Sequence, residues 1–279
     1  MGKSKIEWTT YTFNPWTGCS KIGEGCRNCY AETYARRWGL EWGVNARREV
    51  MSEAYWRQPL SWDRSAERHR RIQTVFCGSL CDVFEHAPHS VLNSERTQLW
   101  RLIDATPHLY WLLLTKRPVN IPYMTPDSWK ALPPGNVGFG VSAWNELSAV
   151  AMWSTLAGML REAFVRQPSL KFISLEPLLG HVDIQTLCDA TDEVPDWIIV
   201  GGESGRRARP FDLSWGMEII ETCTRLGVPV FIKQIGTNSV YRGEKYIVKG
   251  KRDYKGGDPS QWPDELQVRQ FPQILEEVL

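Results

Sequence analysis

Three cysteines fall within eleven residues in the stretch "FNPWTGCSKIGEGCRNCYAETYARRWG": Cys19, Cys26 and Cys29. Six residues fill the first gap and two the second. Thiolates are soft ligands for zinc and for iron–sulfur clusters. A structural zinc site takes four protein ligands, usually as two close pairs. Here there is one pair and a single cysteine, with no histidine before His69, so zinc would have to recruit Cys77 or Cys81. A cubane cluster is satisfied differently: three thiols hold three irons and the fourth iron stays open. S-adenosylmethionine can chelate such an iron through its amine and carboxylate, and its reductive cleavage starts radical chemistry. Inert thiols are the third reading of the same spacing.

Such a loop has to be held by rigid elements. Six short apolar runs recur along the chain, each ending in small or polar residues and most followed by a helical stretch: "TVFCGSLCD" (74–82), "YWLLLTKRP" (110–118), "VGFGVSAWN" (137–145), "KFISLEPLL" (171–179), "DWIIVGGESG" (196–205) and "VPVFIKQIG" (228–236). Continuous apolarity is the pattern of parallel strands covered on both faces. With "YTFN" (11–14) in front there are about seven βα units. A complete or partial (β/α) TIM-like barrel in a single α/β domain follows, with a doubly wound open sheet as runner-up. The barrel is expected over residues 1–240, its cysteine loop over 14–30, and a basic extension packs on it from 241 to 279. Among the helices, "SWGMEIIETCTRLG" (214–227) carries Ser214 as expected N-cap and Gly227 as expected C-cap.

In a barrel the C-terminal strand ends share one mouth. Those ends bear Cys77, Ser79, Cys81 and Asp82; Thr115, Lys116 and Arg117; Ser142 and Asn145; Ser174 and Glu176; Glu203 and Ser204; Lys233 and Gln234. Each of these also has a bland reading as a strand-end hydrogen bond or helix cap, which Ser, Asp and Asn favour.

Composition excludes little else. The net charge of +1 argues against a whole-molecule polyanion binder, but Arg242, Lys245, Lys249, Lys251, Arg252 and Lys255 cluster against Glu244 and Asp253. Most of the fourteen tryptophans are expected to fill core. No apolar run is long enough to span a membrane. The N-terminus lacks a signal-peptide core, and Ile6 breaks the myristoylation pattern. A reducing cytoplasmic location is expected, where clustered cysteines bind metal more often than they pair.

The three-cysteine loop after a first barrel strand resembles the radical S-adenosylmethionine superfamily. The first gap departs from that pattern, whereas "CRNC" followed by Tyr30 keeps it. More narrowly, "SLCDVF", "LLTKRP", "GVSAWN", "SLEPLL", "GGESG", "FIKQIG" and the tail "KGGDPSQWPDELQVRQFP" together resemble a phage-associated three-cysteine family regarded as radical-SAM-like. The resemblance implies a [4Fe-4S] cluster on Cys19, Cys26 and Cys29 and S-adenosyl-L-methionine as cofactor. It implies Asn28 at the adenine and Tyr30 shielding the cluster. Ser79 and Asp82 become candidates for the methionyl amine, and Ser142 and Asn145 for the ribose or carboxylate. The superfamily's Gly-Gly-Glu follows its second strand; here it falls after a late one, so Glu203 does not take that role.

Radical enzymes also use cysteine as a hydrogen-atom donor, which makes Cys81 a catalytic candidate beside Lys116 and Glu176. Cys77, Cys188 and Cys223 read as small buried hydrophobes. Lys116, Arg117, Glu203, Arg206, Lys233 and Gln234 are the expected substrate contacts, with Arg207 and Arg209 adding charge at the rim. The substrate class implied is a nucleobase or base adduct in phage DNA, extruded into the mouth and rearranged or joined by a carbon–carbon bond. A one-electron reductant such as flavodoxin or ferredoxin is implied, and a partner protein is suggested. A DNA-lesion lyase is the enzymatic alternative, and a zinc-stabilised nucleic-acid-binding protein the non-enzymatic one.

Overall fold

The chain is described by a computed structural model covering residues 3–86, 92–247, 253 and 255–276. Each of the seven apolar runs forms a strand: β1 (Tyr11–Phe13), β2 (Gln73–Cys77), β3 (Leu109–Thr115), β4 (Val137–Ala143), β5 (Leu170–Leu175), β6 (Trp197–Gly201) and β7 (Val230–Gln234). All pair in parallel and in sequence order. The helices α1 (Tyr30–Arg37), α2 (Gln58–His69), α3 (Leu92–Asp104), α4 (Glu146–Ala163), α5 (Ile184–Asp189) and α6 (Leu213–Leu226) lie in the connections. Two short helices, Ile121–Met124 and Asp127–Ala131, serve between β3 and β4.

The sheet curls but does not close, because β1 and β7 are its two edges and do not pair with one another. It is a partial barrel. Residues 268–270 run antiparallel along the free side of β7: Ile232 N–H donates to Val268 O (2.9 Å) and Gln270 N–H to Val230 O (2.8 Å). Covering an edge in this way removes a template for unwanted strand pairing. Trp8 closes the interior from the other end, its ring 4.6 Å from Phe76 and 6.0 Å from Trp197.

Side-chain alternation divides the core in two. Phe76, Leu112, Phe172, Ile199 and Phe231 face the concave interior with Trp8. Their neighbours Val75, Leu113, Ile173, Val200 and Ile232 face the helices. The glycines of "VGFGV" in β4 make room for this packing, since a Cβ at Gly140 would lie 2.3 Å from the Phe172 ring. As expected, several tryptophans fill core; Trp8, Trp16, Trp111, Trp129, Trp153 and Trp197 are essentially buried.

Helix α6 ends at Gly227 as expected, in the left-handed conformation (φ 69°). Its N-cap is Asp212 and not Ser214: the Asp212 carboxylate accepts both the amide (3.0 Å) and the hydroxyl (2.8 Å) of Ser214. A carboxylate two residues upstream takes the role the serine was expected to fill. Of the basic tail, Arg242 lies in a turn and Lys245 on a short strand beside Ser239–Tyr241. Lys249, Lys251 and Arg252 lie outside the described residues. Among the described residues no helix is long and apolar enough to cross a membrane.

Candidate functional site

Continuing the alternation past the apolar interior layer, the next inward positions are polar. Lys116, Ser142, Ser174, Glu176 and Lys233 line a cavity of about 170 Å³ above Phe76, Leu114 and Trp8. Cys19, Cys26 and Cys29 line the same cavity from the loop after β1, and Cys81 lines it from the loop after β2. The polar layer is internally tied. Lys116 Nζ donates to Ser142 Oγ (2.7 Å), which donates to Glu176 O (3.1 Å). Lys233 Nζ lies 2.5 Å from Glu176 Oε1, and both side chains are largely shielded from solvent. Gln234 is occupied structurally, donating to Gly202 O (2.8 Å) across the ends of β6 and β7.

Two sets of contacts fix the cysteine loop below. The Asn14 carboxamide takes the Leu80 amide (2.7 Å) and donates to Ser79 Oγ (3.1 Å), while Gly18 N–H donates to Leu80 O (3.0 Å) and Tyr30 OH to Ser79 O (2.8 Å). Next to Cys19, Ser20 is gripped by charges. Its amide donates to Glu85 Oε1 (2.6 Å), and its carbonyl accepts from Arg117 Nη2 (2.7 Å). Glu85 takes a two-pronged contact from Arg48, at 2.9 Å and 2.8 Å. Asp82 orients Arg117 (2.9 Å) and also accepts from Thr115 Oγ1 (2.7 Å), Phe84 N (3.0 Å) and Lys116 N (3.1 Å). Burial, then the Asp82 and Glu85 carboxylates, push the Cys19 thiol up to about 12, while Arg117 works to lower it. Arg117 Nη1 donates to the Cys19 sulfur at 3.7 Å.

The loop also rests on Trp144, at the end of β4. A Cβ on Gly23 or Gly25 would lie 2.6 Å from that indole. The residues between Cys19 and Cys26 therefore include a short turn, Glu24–Cys26, bedded on an aromatic plate. Gly25→Ala is expected to destabilise the protein by about 1–3 kcal/mol through overpacking. In a Trp144→Ala background the same change should cost little. Urea denaturation of the four proteins in this cycle reads the coupling, and equal costs in both backgrounds would show that the contact is unimportant.

A second tie joins Asn28 to Glu203. Asn28 Nδ2 donates to Glu203 Oε2 (3.0 Å) and to Arg207 O (2.8 Å), and Arg209 grips Glu203 at 2.7 Å and 3.1 Å. Burial works to raise the Glu203 carboxyl, but hydrogen bonds from Arg209 and Asn28 outweigh it and hold the group below the usual carboxylate range. A depressed carboxyl contributes stability that is present above its unfolded value and lost as pH falls through its folded value. Wild type should therefore lose urea resistance more steeply than Glu203→Gln below about pH 4.3. Parallel acid limbs for the two proteins would count against the tie.

Most expected site residues meet at one cavity: Cys19, Cys26, Asn28, Cys29, Tyr30, Ser79, Cys81, Asp82, Lys116, Arg117, Ser142, Glu176, Glu203, Lys233 and Gln234 all line it. Asn145 and Arg206 do not. Asn145 instead caps α4, accepting the Ser148 amide (3.0 Å) while Ser148 Oγ accepts the Asn145 amide (3.0 Å). The spacing "NELS" is itself a capping-box pattern. Sequence reasoning missed Glu85, Arg48, Trp144 and the positioning role of Arg209. The three thiols have the donor type and number for a three-cysteine cluster and they share a cavity. Among the described residues, however, no three Cys, His, Asp or Glu side chains are gathered as a ready-made metal group. Metal or cluster binding would have to draw the 19–29 loop together and displace the Cys19 proton.

No curated protein and no solved structure matches the chain. A family model described as "Protein of unknown function (DUF5131)" matches residues 3–263, almost the whole length of the sequence, and the chain belongs to that family.

Proposed function

We propose that the protein is a radical S-adenosylmethionine enzyme whose Cys19, Cys26 and Cys29 hold a [4Fe-4S] cluster. The observation that carries this reading is that all three thiols line one cavity with the polar strand ends. A cluster held there would supply, once reduced by one electron, the electron that splits S-adenosylmethionine into methionine and a 5′-deoxyadenosyl radical for hydrogen-atom abstraction. The chain's own part is to bind and orient. Arg117 supplies an N–H to the Cys19 sulfur, and Asp82 holds that guanidinium in place. Asn28 fixes the backbone between the second and third thiols through Glu203. The Lys116 ammonium has only the Ser142 hydroxyl as hydrogen-bond partner among the described residues, which suits it to a ligand carboxylate or phosphate. The Lys233–Glu176 pair is the candidate acid–base element of the mouth. The reading extends to a nucleobase or base adduct in DNA as substrate, supported by the cations at the rim, and to flavodoxin or ferredoxin as electron donor.

Anaerobic reconstitution tests it. The expected product is brown protein with about four irons and four sulfides per chain, forming 5′-deoxyadenosine from S-adenosylmethionine under dithionite. Because Cys81 lines the same cavity, a four-thiolate zinc site is the competing reading. Colourless protein with about one tightly held zinc and no 5′-deoxyadenosine would establish that reading instead.

A further inference from the structure

Beside the cavity runs a second depression, between α1 and the turn that follows Glu203. Lys21, Arg27, Arg36, Arg37, Arg206 and Arg207 line it, and all six are exposed. Among the described residues the only carboxylate in its lining is Glu32, which pairs with Lys21 and Arg36, each at 2.6 Å. Arg27, Arg37, Arg206 and Arg207 have no carboxylate partner among the described residues. The net charge of the whole chain is +1, so this concentration of unpaired cations is local and not a reflection of composition.

Aromatic rings accompany the charge. Tyr30, Tyr34 and Trp38 repeat every fourth residue, and their exposures are 49%, 44% and 70%. Tyr30 and Tyr34 line the depression, and Tyr34 lies 6.3 Å from Trp38 just past the helix end. Scattered exposed rings need no explanation, but a row along one helix beside unpaired arginines does. The depression also meets the cavity: Lys21, Asn28, Cys29, Tyr30 and Ser204 line both.

We infer that this groove binds single-stranded polynucleotide, its phosphates on the arginines and its bases on the α1 tyrosines. Basic grooves with aromatic platforms hold single strands without sequence preference. The shared wall would let one unstacked base turn from the groove into the cavity. The inference rests on the proposed radical reading only for that direction; strand binding itself needs no cluster.

The test uses full-length apo protein and labelled oligonucleotides of about 16 nucleotides, single-stranded DNA and single-stranded RNA in separate arms. Binding is followed by fluorescence anisotropy across a salt series. Arg37→Glu/Arg207→Glu should weaken binding at least tenfold and flatten the salt dependence, by about 0.7 in the log–log slope for each lost phosphate contact. Tyr34→Ala should weaken it about fivefold or more, as lost base stacking does. Arg64→Glu/Arg225→Glu, on α2 and α6, should leave it unchanged. The arm that binds more tightly names the polymer. Equal binding by wild type and the groove variants would overturn the inference. So would tighter binding of duplex than of single strand, or equal competition by polyglutamate. Iron content and 5′-deoxyadenosine formation are measured separately, so failure of the groove and failure of the radical reading are told apart.

Discussion

Glu85→Ala is expected to destabilise the folded protein by about 3–5 kcal/mol, the cost of removing one partner from a buried ion pair. Glu85 is fully buried, and Arg48 beside it has a side chain only 4% exposed. The alanine would leave the Arg48 guanidinium with the Gly43 and Ala46 carbonyls alone. It would also strip the Ser20 amide of its acceptor. Most of the cost is therefore the stranded charge and not the lost attraction. Glu85→Gln keeps the volume but turns an acceptor into a donor facing Arg48, and should fall between wild type and alanine. Arg48→Lys keeps the charge but loses the two-pronged geometry, so it too should be clearly destabilised. Urea midpoints at neutral pH give the order. A Glu85→Ala midpoint equal to wild type would mean that water enters and relieves the charge. Because Ser20 adjoins Cys19, the same variant should reconstitute less iron than its folded fraction accounts for.

The second large effect concerns Cys26. Cys26→Ala is expected to lower 5′-deoxyadenosine formation by more than about a hundredfold, beyond the 10–100-fold typical of changes that touch a metal only through its ligands. Its iron content should fall with it. Cys26 is half-buried and its side chain makes no hydrogen bond among the described residues, so the fold should survive. Near-identical far-ultraviolet circular dichroism would establish that. Cys188→Ala, buried on α5 away from the cavity, is the control for thiol number and should keep its iron. If Cys26→Ala retained a full cluster and activity, the assignment of the three ligands would be wrong.

The seven strands were legible because a parallel strand covered on both faces is apolar at nearly every position, and such runs need no partner to be recognised. Their polar ends were legible for the same reason: polarity returns where the sheet ends. Cys19, Cys26 and Cys29 were visible by spacing alone. What hid were contacts between distant residues. Glu85, Arg48 and Arg117 are ordinary surface types until the fold buries them together. Nothing local in "GVSAWN" says that Trp144 supports two glycines some 120 residues earlier. Asp212 displaced Ser214 as a cap because both are good caps, and the choice depends on where the backbone turns. The aromatic row of α1, by contrast, stands plainly in "YAETYARRW" at helical spacing.

The Trp144 plate against the cysteine loop has an evolutionary consequence. Positions 23, 25 and 144 are expected to vary together among relatives, since a side chain at either glycine would collide with the indole. Larger residues at the glycines are disfavoured while the tryptophan stands, and a smaller residue at 144 would release them both. An alignment of relatives should therefore show Gly-x-Gly-Cys together with a tryptophan after the fourth strand, and independent variation of the three positions would count against the contact.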